Sequence, residues 1–365
     1  MKCNGFFVTF CVYLLTGVSG RMAFCSTIEP PPEAFKDGVP VSIMKTLNEV
    51  EPRTVITNLP MIITNSGSYY LVNSLTGTNG IFIDTDDVTI DFGGFGISGD
   101  TNFPTHGIQI GLDVLNVTIK NGKIGDWGGW GIYSETNADF FLVQDLNIEI
   151  TCQGGLKLGP KCRVERVTVA ETGGDGIRLG EAATVLNCKS IDNAASGIRV
   201  GQASTVTSCT TSENMEDGIV ATAYCTIRDC TSVNNQWSGI RVEASCRVLE
   251  NNIGDNGKQT GGIGIRVIGP GNQIKNNNVT ANNKGIFVDG QSNWLENNGV
   301  IDNNTGIEIT GVGNFVIRNC VGTPLETNGI HLIIGPSNQV GSVMENMGSS
   351  FSNNNPWANI RLTEE

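Results

Sequence analysis

Basic residues are scarce in this 365-residue chain, 23 against 36 acidic ones, and histidine occurs only twice. The resulting formal charge of -13 excludes the broad cationic footprint with which proteins hold nucleic acid, so no such partner is expected. The two histidines, His106 and His331, stand far apart, and no cysteine columns converge on either, which argues against a zinc site. After the first twenty residues no apolar run is long enough to cross a bilayer. Beyond residue 50 no stretch has the 3.6-residue periodicity of a helix, so a helical bundle is excluded as well. Glycine, by contrast, is abundant, with 47 copies, and asparagine is frequent.

The N-terminus reads as an export signal. Residues 1–20 carry one early lysine, an apolar run from Phe6 to Leu15, and small residues at Val18-Ser19-Gly20. The expected product is exported: extracellular, at the cell surface or in the periplasm, and monomeric. Residues 21–60 read as a Pro-rich leader followed by a capping helix over 41–50, where Ile43, Met44, Leu47 and Val50 fall at helical spacing. Residues 61–345 are assigned to the repeat described next. Residues 346–365, which carry Trp357 and Ile360, are assigned to a C-terminal cap or tail.

The dominant feature is a period. A glycine followed by an aliphatic residue, any residue and usually another aliphatic recurs at Gly80, Gly107, Gly131, Gly155, Gly176, Gly197, Gly218, Gly239, Gly264, Gly285, Gly306 and Gly329. Four successive intervals are of 21 residues, which indicates stacked units that bury a face only against their neighbours. The segments are short, β-branched and alternating, and about 21 residues give room for three short strands and three turns. The expected fold is all-β: one right-handed parallel β-helix of about 12 coils with a short N-terminal capping helix, a rod of roughly 55 Å at about 4.8 Å per coil. In each Gly-Ile-x-Val the aliphatic residues point inward and the third residue outward. Counting from the glycines puts Cys188, Cys209 and Cys230 in one column with Asn276, Asn297 and Cys320, and Cys162, Cys225 and Cys246 in another. These columns read as interior turns, with the cysteines as buried free thiols and not disulfides, since stacked parallel side chains do not readily reach the disulfide torsion.

The stretches "ITNSGSYYLVNSLTG", "GIFIDTDDVTIDFGGFGISG" and "LNVTIKNGKIGDWGGWGI" resemble the opening coils of secreted bacterial β-helix repeat proteins of the pectin lyase-like superfamily. The resemblance covers roughly residues 41–340 and implies the fold more than any activity, because that fold hosts lyases, hydrolases, epimerases and adhesins. The Gly-His-Gly and Arg-Ile-Lys of polygalacturonase-type hydrolases, the Asp-Pro-His-Asp of mannuronan epimerases and the calcium-site pattern of pectate lyases are all missing.

Candidate chemistry therefore rests on the outward position of the Gly-led strand. That column reads Phe82, Gln109, Tyr133, Lys157, Arg178, Arg199, Val220, Arg241, Arg266, Phe287, Glu308 and His331. Five cations in an acidic protein form a stripe about 24 Å long at about 4.8 Å per coil. An acidic polysaccharide lying along the rod would meet guanidinium forks there. In lyase- or hydrolase-type processing, Lys157, Arg178, Arg199, Asp175 and Asp217 are the catalytic candidates, with Lys157 as a base whose pKa neighbouring cations would lower. Arg241, Arg266 and Glu243 would bind substrate, and Trp127, Trp130, Tyr133 and Trp237 would offer rings for sugars. The carboxylates could instead hold Ca2+. The bland reading is a structural or adhesive rod whose duplicated coils inherit the same arginine, paired with flanking carboxylates.

Overall fold

The computed structural model describes residues 52–134, 138–257, 261–322, 330–345 and 355–362, together with the two short strands Phe35–Lys36 and Val39–Pro40, which pair antiparallel. The expected signal segment and the capping helix over 41–50 lie outside the described residues. From Arg53 onward the chain is a right-handed parallel solenoid with three strands per coil and, among the described residues, no helix. No helix among the described residues is long and apolar enough to cross a membrane.

One coil shows the rule. Ile198–Val200 lies in the first sheet, Thr205–Thr207 in the second and Thr210–Ser212 in the third. Each pairs in parallel with its equivalent 21 residues on, as Ile198 with Ile219, Val206 with Ile227 and Thr211 with Ser232. Alternation drives Ile198, Val200 and Val206 into the interior, all at most 1% exposed, and leaves Arg199 outside. The corners bend through single left-handed residues: Ala203 at the first, Ser208 at the second and Glu213 at the third, with φ of 57°, 54° and 60°. The repeat glycine is required by crowding. A Cβ on Gly197 would lie 2.7 Å from the Gly218 carbonyl oxygen and 2.8 Å from Asn214 Nδ2.

Interior polar ladders close the corners. Each amide Nδ2 donates to the Oδ1 of the next asparagine, as from Asn251 to Asn277 at 2.9 Å, Asn277 to Asn298 at 3.0 Å, and Asn298 to Asn319 at 2.8 Å. A second run joins Asn193, Asn214, Asn235, Asn256, Asn282 and Asn303 at 2.8–3.2 Å. The bonds satisfy buried amides that would otherwise each cost about 1–3 kcal/mol. In the earlier coils cysteines fill equivalent places, and Cys188, Cys209 and Cys230 are free and buried.

The register corrects part of the sequence-based column. Cys230 is followed by Asn251, Asn277, Asn298 and Asn319, whereas Asn276 and Asn297 are the left-handed residues just before the buried position. Cys320 stands one residue beyond that position and pairs with Gly299 and Ile360. The cause is a compensated shift. Asn214 precedes its glycine, Gly218, by four residues but Asn303 precedes Gly306 by three, while the first corner gains a residue, from Gly239–Cys246 to Gly285–Asn293. The 21-residue period survives although one residue has moved from one corner to another.

The first sheet has thirteen strands rather than twelve. The additional one, Met61–Ile63, pairs with Ile81–Ile83 and has Pro60 where the next coil has Gly80. At the far end Asn359–Leu362 continues the stack by pairing with Cys320–Gly322, and Asn359 forms the last rung of a ladder, 3.1 Å from Asn319. These four residues of the expected tail are therefore a solenoid strand.

Candidate functional site

Cross-coil pairing confirms the outward column from Phe82 through Gln109, Tyr133, Lys157, Arg178, Arg199, Val220, Arg241, Arg266 and Phe287 to Glu308. His331 is not its last member. Glu308 pairs with Ile333, and His331 occupies the glycine position of its coil, 8% exposed. Its imidazole pKa lies below the ordinary value, chiefly because burial disfavours the charged form and secondarily because Arg361 is near.

Whether an outward side chain is free depends on the residue just before the repeat glycine of the preceding coil. Asp175 accepts the Ser196 N–H at 3.1 Å and the Arg199 Nε at 3.0 Å. Asp217 does the same two coils later, with the Ser238 N–H at 3.0 Å and Arg241 Nε at 2.8 Å. Lys284 reaches Glu308 at 2.8 Å by the same step with the charges reversed. All three pairs are 24 residues apart, one coil plus three positions. Asp175 and Asp217 are 7% and 1% exposed, so their largely desolvated carboxylates fix the arginines.

The other three cations follow coils without a carboxylate there. Lys157 follows Trp130, Arg178 follows Gly154 and Arg266 follows Ser238. Arg178 and Arg266 are exposed. Arg178 approaches Asp175 only at 3.9 Å, and Arg266 makes no ion pair among the described residues. The column thus divides into Arg199 and Arg241, held by a carboxylate of the preceding coil, and Lys157, Arg178 and Arg266, which have none there.

Toward the N-terminus the same face changes character. His106 stands before Gly107, in the position of Asp175, and behaves as Asp175 does: its Nδ1 accepts the Trp130 N–H at 2.9 Å. Its ring stacks on Tyr133 with centroids 4.6 Å apart and planes 12° apart, and Lys157 Nζ lies 4.8 Å over the Tyr133 ring. His106, Tyr133, Lys157 and Arg178 therefore run in sequence along the sheet. Beside them is a cavity of about 430 Å3 whose lining includes Met61, Phe82, Pro104, Thr105, His106 and Gln109. Its wall comes from the longest early coil, where Thr105 Oγ1 bonds the Thr78 carbonyl at 2.6 Å. Sequence reasoning missed His106, although its place before the repeat glycine matches that of Asp175 and Asp217.

The remaining candidates separate by burial. Trp127 is fully buried and Trp130 is 9% exposed, so neither offers a ring face to a ligand. Trp237 is 49% exposed at the third corner, and Glu243 is exposed within the Ser238–Ala244 strand, two residues after Arg241. Ca2+ does not fit Asp175 and Asp217, whose oxygens are engaged by amides and guanidinium groups. No group of three His, Cys, Asp or Glu suited to a metal converges among the described residues. All eight described cysteines are free, and burial pushes the Cys162 thiol up to about 12, leaving it protonated and inert.

Among solved structures, the chain is similar to the A-module of a mannuronan C-5 epimerase of Azotobacter vinelandii, at TM-score 0.56 and 14% identity over 79% of this chain and 88% of that one. It is also similar to the catalytic domain of a GH87 alpha-1,3-glucanase in complex with tetrasaccharides, at TM-score 0.58 and 13% identity over 75% of this chain and 63% of that one. At such identities the likeness is one of fold. No curated protein matches the sequence. The right-handed beta helix region family matches at residues 62–226, 107–263 and 221–355, and the chain belongs to that family.

Proposed function

We propose that this is an exported carbohydrate-binding β-helix that holds an acidic polysaccharide along its first sheet, with Tyr133, Lys157 and Arg178 at the centre of the site and Arg266 at its far end. One observation carries the reading: within the outward column the cations that no carboxylate of the preceding coil holds, Lys157, Arg178 and Arg266, share one sheet face, and two of them continue the His106–Tyr133 stack beside a walled cavity. A uronate chain offers regularly spaced carboxylates for these cations and C–H faces for the Tyr133 ring. The two solved neighbours are named for polysaccharide chemistry, which is in keeping with this reading.

Binding is better supported than cleavage. A hydrolase needs two available carboxyl groups, and Asp175 and Asp217 are both engaged by arginines. The second reading, a structural or adhesive rod, is favoured by the same pairs, which account for Arg199 and Arg241 without any ligand. Native electrophoresis in gels containing polygalacturonate or alginate separates the two readings. The wild type is expected to be retarded relative to a gel with no glycan, and Lys157→Ala/Arg178→Ala to lose at least about tenfold in affinity, the equivalent of one charge-assisted contact. Equal mobility of wild type and variant across both glycans would leave the rod.

A further inference from the structure

Only five tryptophans occur in the chain, and two of the three exposed ones line one cavity near the C-terminal end: Trp294 from the second sheet and Trp357 from the turn before the Asn359–Leu362 strand. With Phe315, Ile317, Gln339 and Val340 they line an open cavity of about 450 Å3. Large exposed rings gathered in this way mark a contact surface and not scattered surface apolarity. The outward column there reads Gln273, Trp294, Phe315, Gln339, so two stacked aromatics lie between two carboxamides along the rod axis.

The rings are held in place. Trp294 and Phe315 meet edge to face with centroids 5.6 Å apart, and Lys275 Nζ lies 3.7 Å over the Trp294 ring. Arg318 lies 4.4 Å over the Trp357 ring, and its Nε donates to the Pro356 carbonyl at 2.8 Å. Glu296 pairs with both cations, at 3.1 Å to Lys275 and 3.1 Å to Arg318. Glu296 bridges the two cations at the rim, and the groove's own lining of rings, aliphatic side chains and the Gln339 carboxamide carries no charge. Electrostatic complementarity therefore calls for an uncharged ligand.

We propose that this groove binds a neutral oligosaccharide, its pyranose C–H faces on Trp294 and Trp357 and its hydroxyls on Gln273 and Gln339. A ligand of that class matches both halves of the lining, an apolar ring platform with a few polar groups that fix orientation. The site lies on a different sheet from the basic column and does not depend on it.

Electrophoresis in gels containing laminarin, dextran, hydroxyethylcellulose or galactomannan tests the proposal. At least one glycan is expected to retard the full chain. Trp294→Ala and Trp357→Ala should each weaken that retardation about tenfold, as for an aromatic hot spot, while Trp294→Tyr keeps most of it. Lys157→Ala/Arg178→Ala should leave it unchanged, which separates this site from the acidic-glycan site. Unaltered circular dichroism of each variant guards against misfolding. No retardation in any of the four gels, or retardation that survives both alanine variants, would overturn the proposal. So would concentration-dependent self-association in size-exclusion chromatography that Trp357→Ala abolishes, because the rings would then belong to a contact between copies.

Discussion

Arg199 and Arg178 occupy adjacent rungs of one column, and their strands pair directly, yet they do different work. Arg199 meets a nearly buried aspartate at 3.0 Å, together with Ser196 Oγ at 3.0 Å and Glu216 at 3.4 Å. Arg178 has only Asp175 at 3.9 Å, a carboxylate already committed to Arg199. The difference lies one coil earlier, in Asp175 against Gly154. On a solenoid, identical position therefore does not mean identical role, because each coil's outward side chain takes its partner from the coil beneath. The arginine of the identical "SGIRV" at 196–200 and 238–242 is explained on these terms: its guanidinium, with the backbone amide of Ser196 or Ser238, meets the preceding Asp175 or Asp217.

The comparison can be broken most forcefully at Asp217. Asp217→Ala removes the partner of Arg241 and the acceptor of the Ser238 amide, and should cost about 3–5 kcal/mol in urea unfolding, the usual result of splitting a buried pair. A loss below about 1 kcal/mol would put Arg241 in the exposed class. Next in size is the alternation Asp175, Ser196, Asp217, Ser238, which keeps carboxylates two coils apart. Ser196→Asp would stack three of them at about 4.8 Å and should destabilise by about 2–3 kcal/mol relative to Ser196→Asn at neutral pH. The gap between the two variants should shrink as acid protonates the stack. Away from the column, Asn298→Ala interrupts a ladder and leaves the Asn277 amide N–H without its acceptor, a loss of about 2 kcal/mol measurable in the same way.

The smallest effect is at His331. Its folded-state pKa is lowered, so below the ordinary value of 6.5 the unfolded chain binds more protons than the folded one. Stability contributed by neutral His331 is therefore present above that pH and lost as the pH falls below it. His331→Gln should flatten the decline, and an unchanged pH profile of the unfolding midpoint would refute the assignment.

Much of this was legible in the sequence, for a physical reason. A coil buries Gly-Ile-x-Val against the next copy of itself, so the inward pattern must repeat, and the outward column follows from strand alternation as far as Glu308. Pairing of the arginines with flanking carboxylates was legible, but which coil supplies each carboxylate was not. The 24-residue step from Asp175 to Arg199 is not a period of the sequence, so counting equivalents could not reveal it. His106 was overlooked on the same account. The asparagine column slipped by one at Asn276 because a residue moved from the third corner to the first while the coil length stayed at 21. A glycine-rich turn around tryptophan reads alike whether the ring covers the coil or faces solvent; here Trp127 lies beneath Gly99 and Gly107 and Trp130 is nearly buried.

The central claim, that one column holds both fold-bound and ligand-facing cations, is tested most directly by measuring two quantities on two variants. Affinity for polygalacturonate and the urea unfolding midpoint should be determined for Arg178→Ala and Arg241→Ala. Arg178→Ala is predicted to lose about tenfold in affinity with unfolding free energy changed by less than about 0.5 kcal/mol, as for an exposed side chain. Arg241→Ala is predicted to lose about 3 kcal/mol of stability, with the affinity of the folded protein nearly unchanged. Equal losses of affinity in both variants with both folds intact would contradict the division.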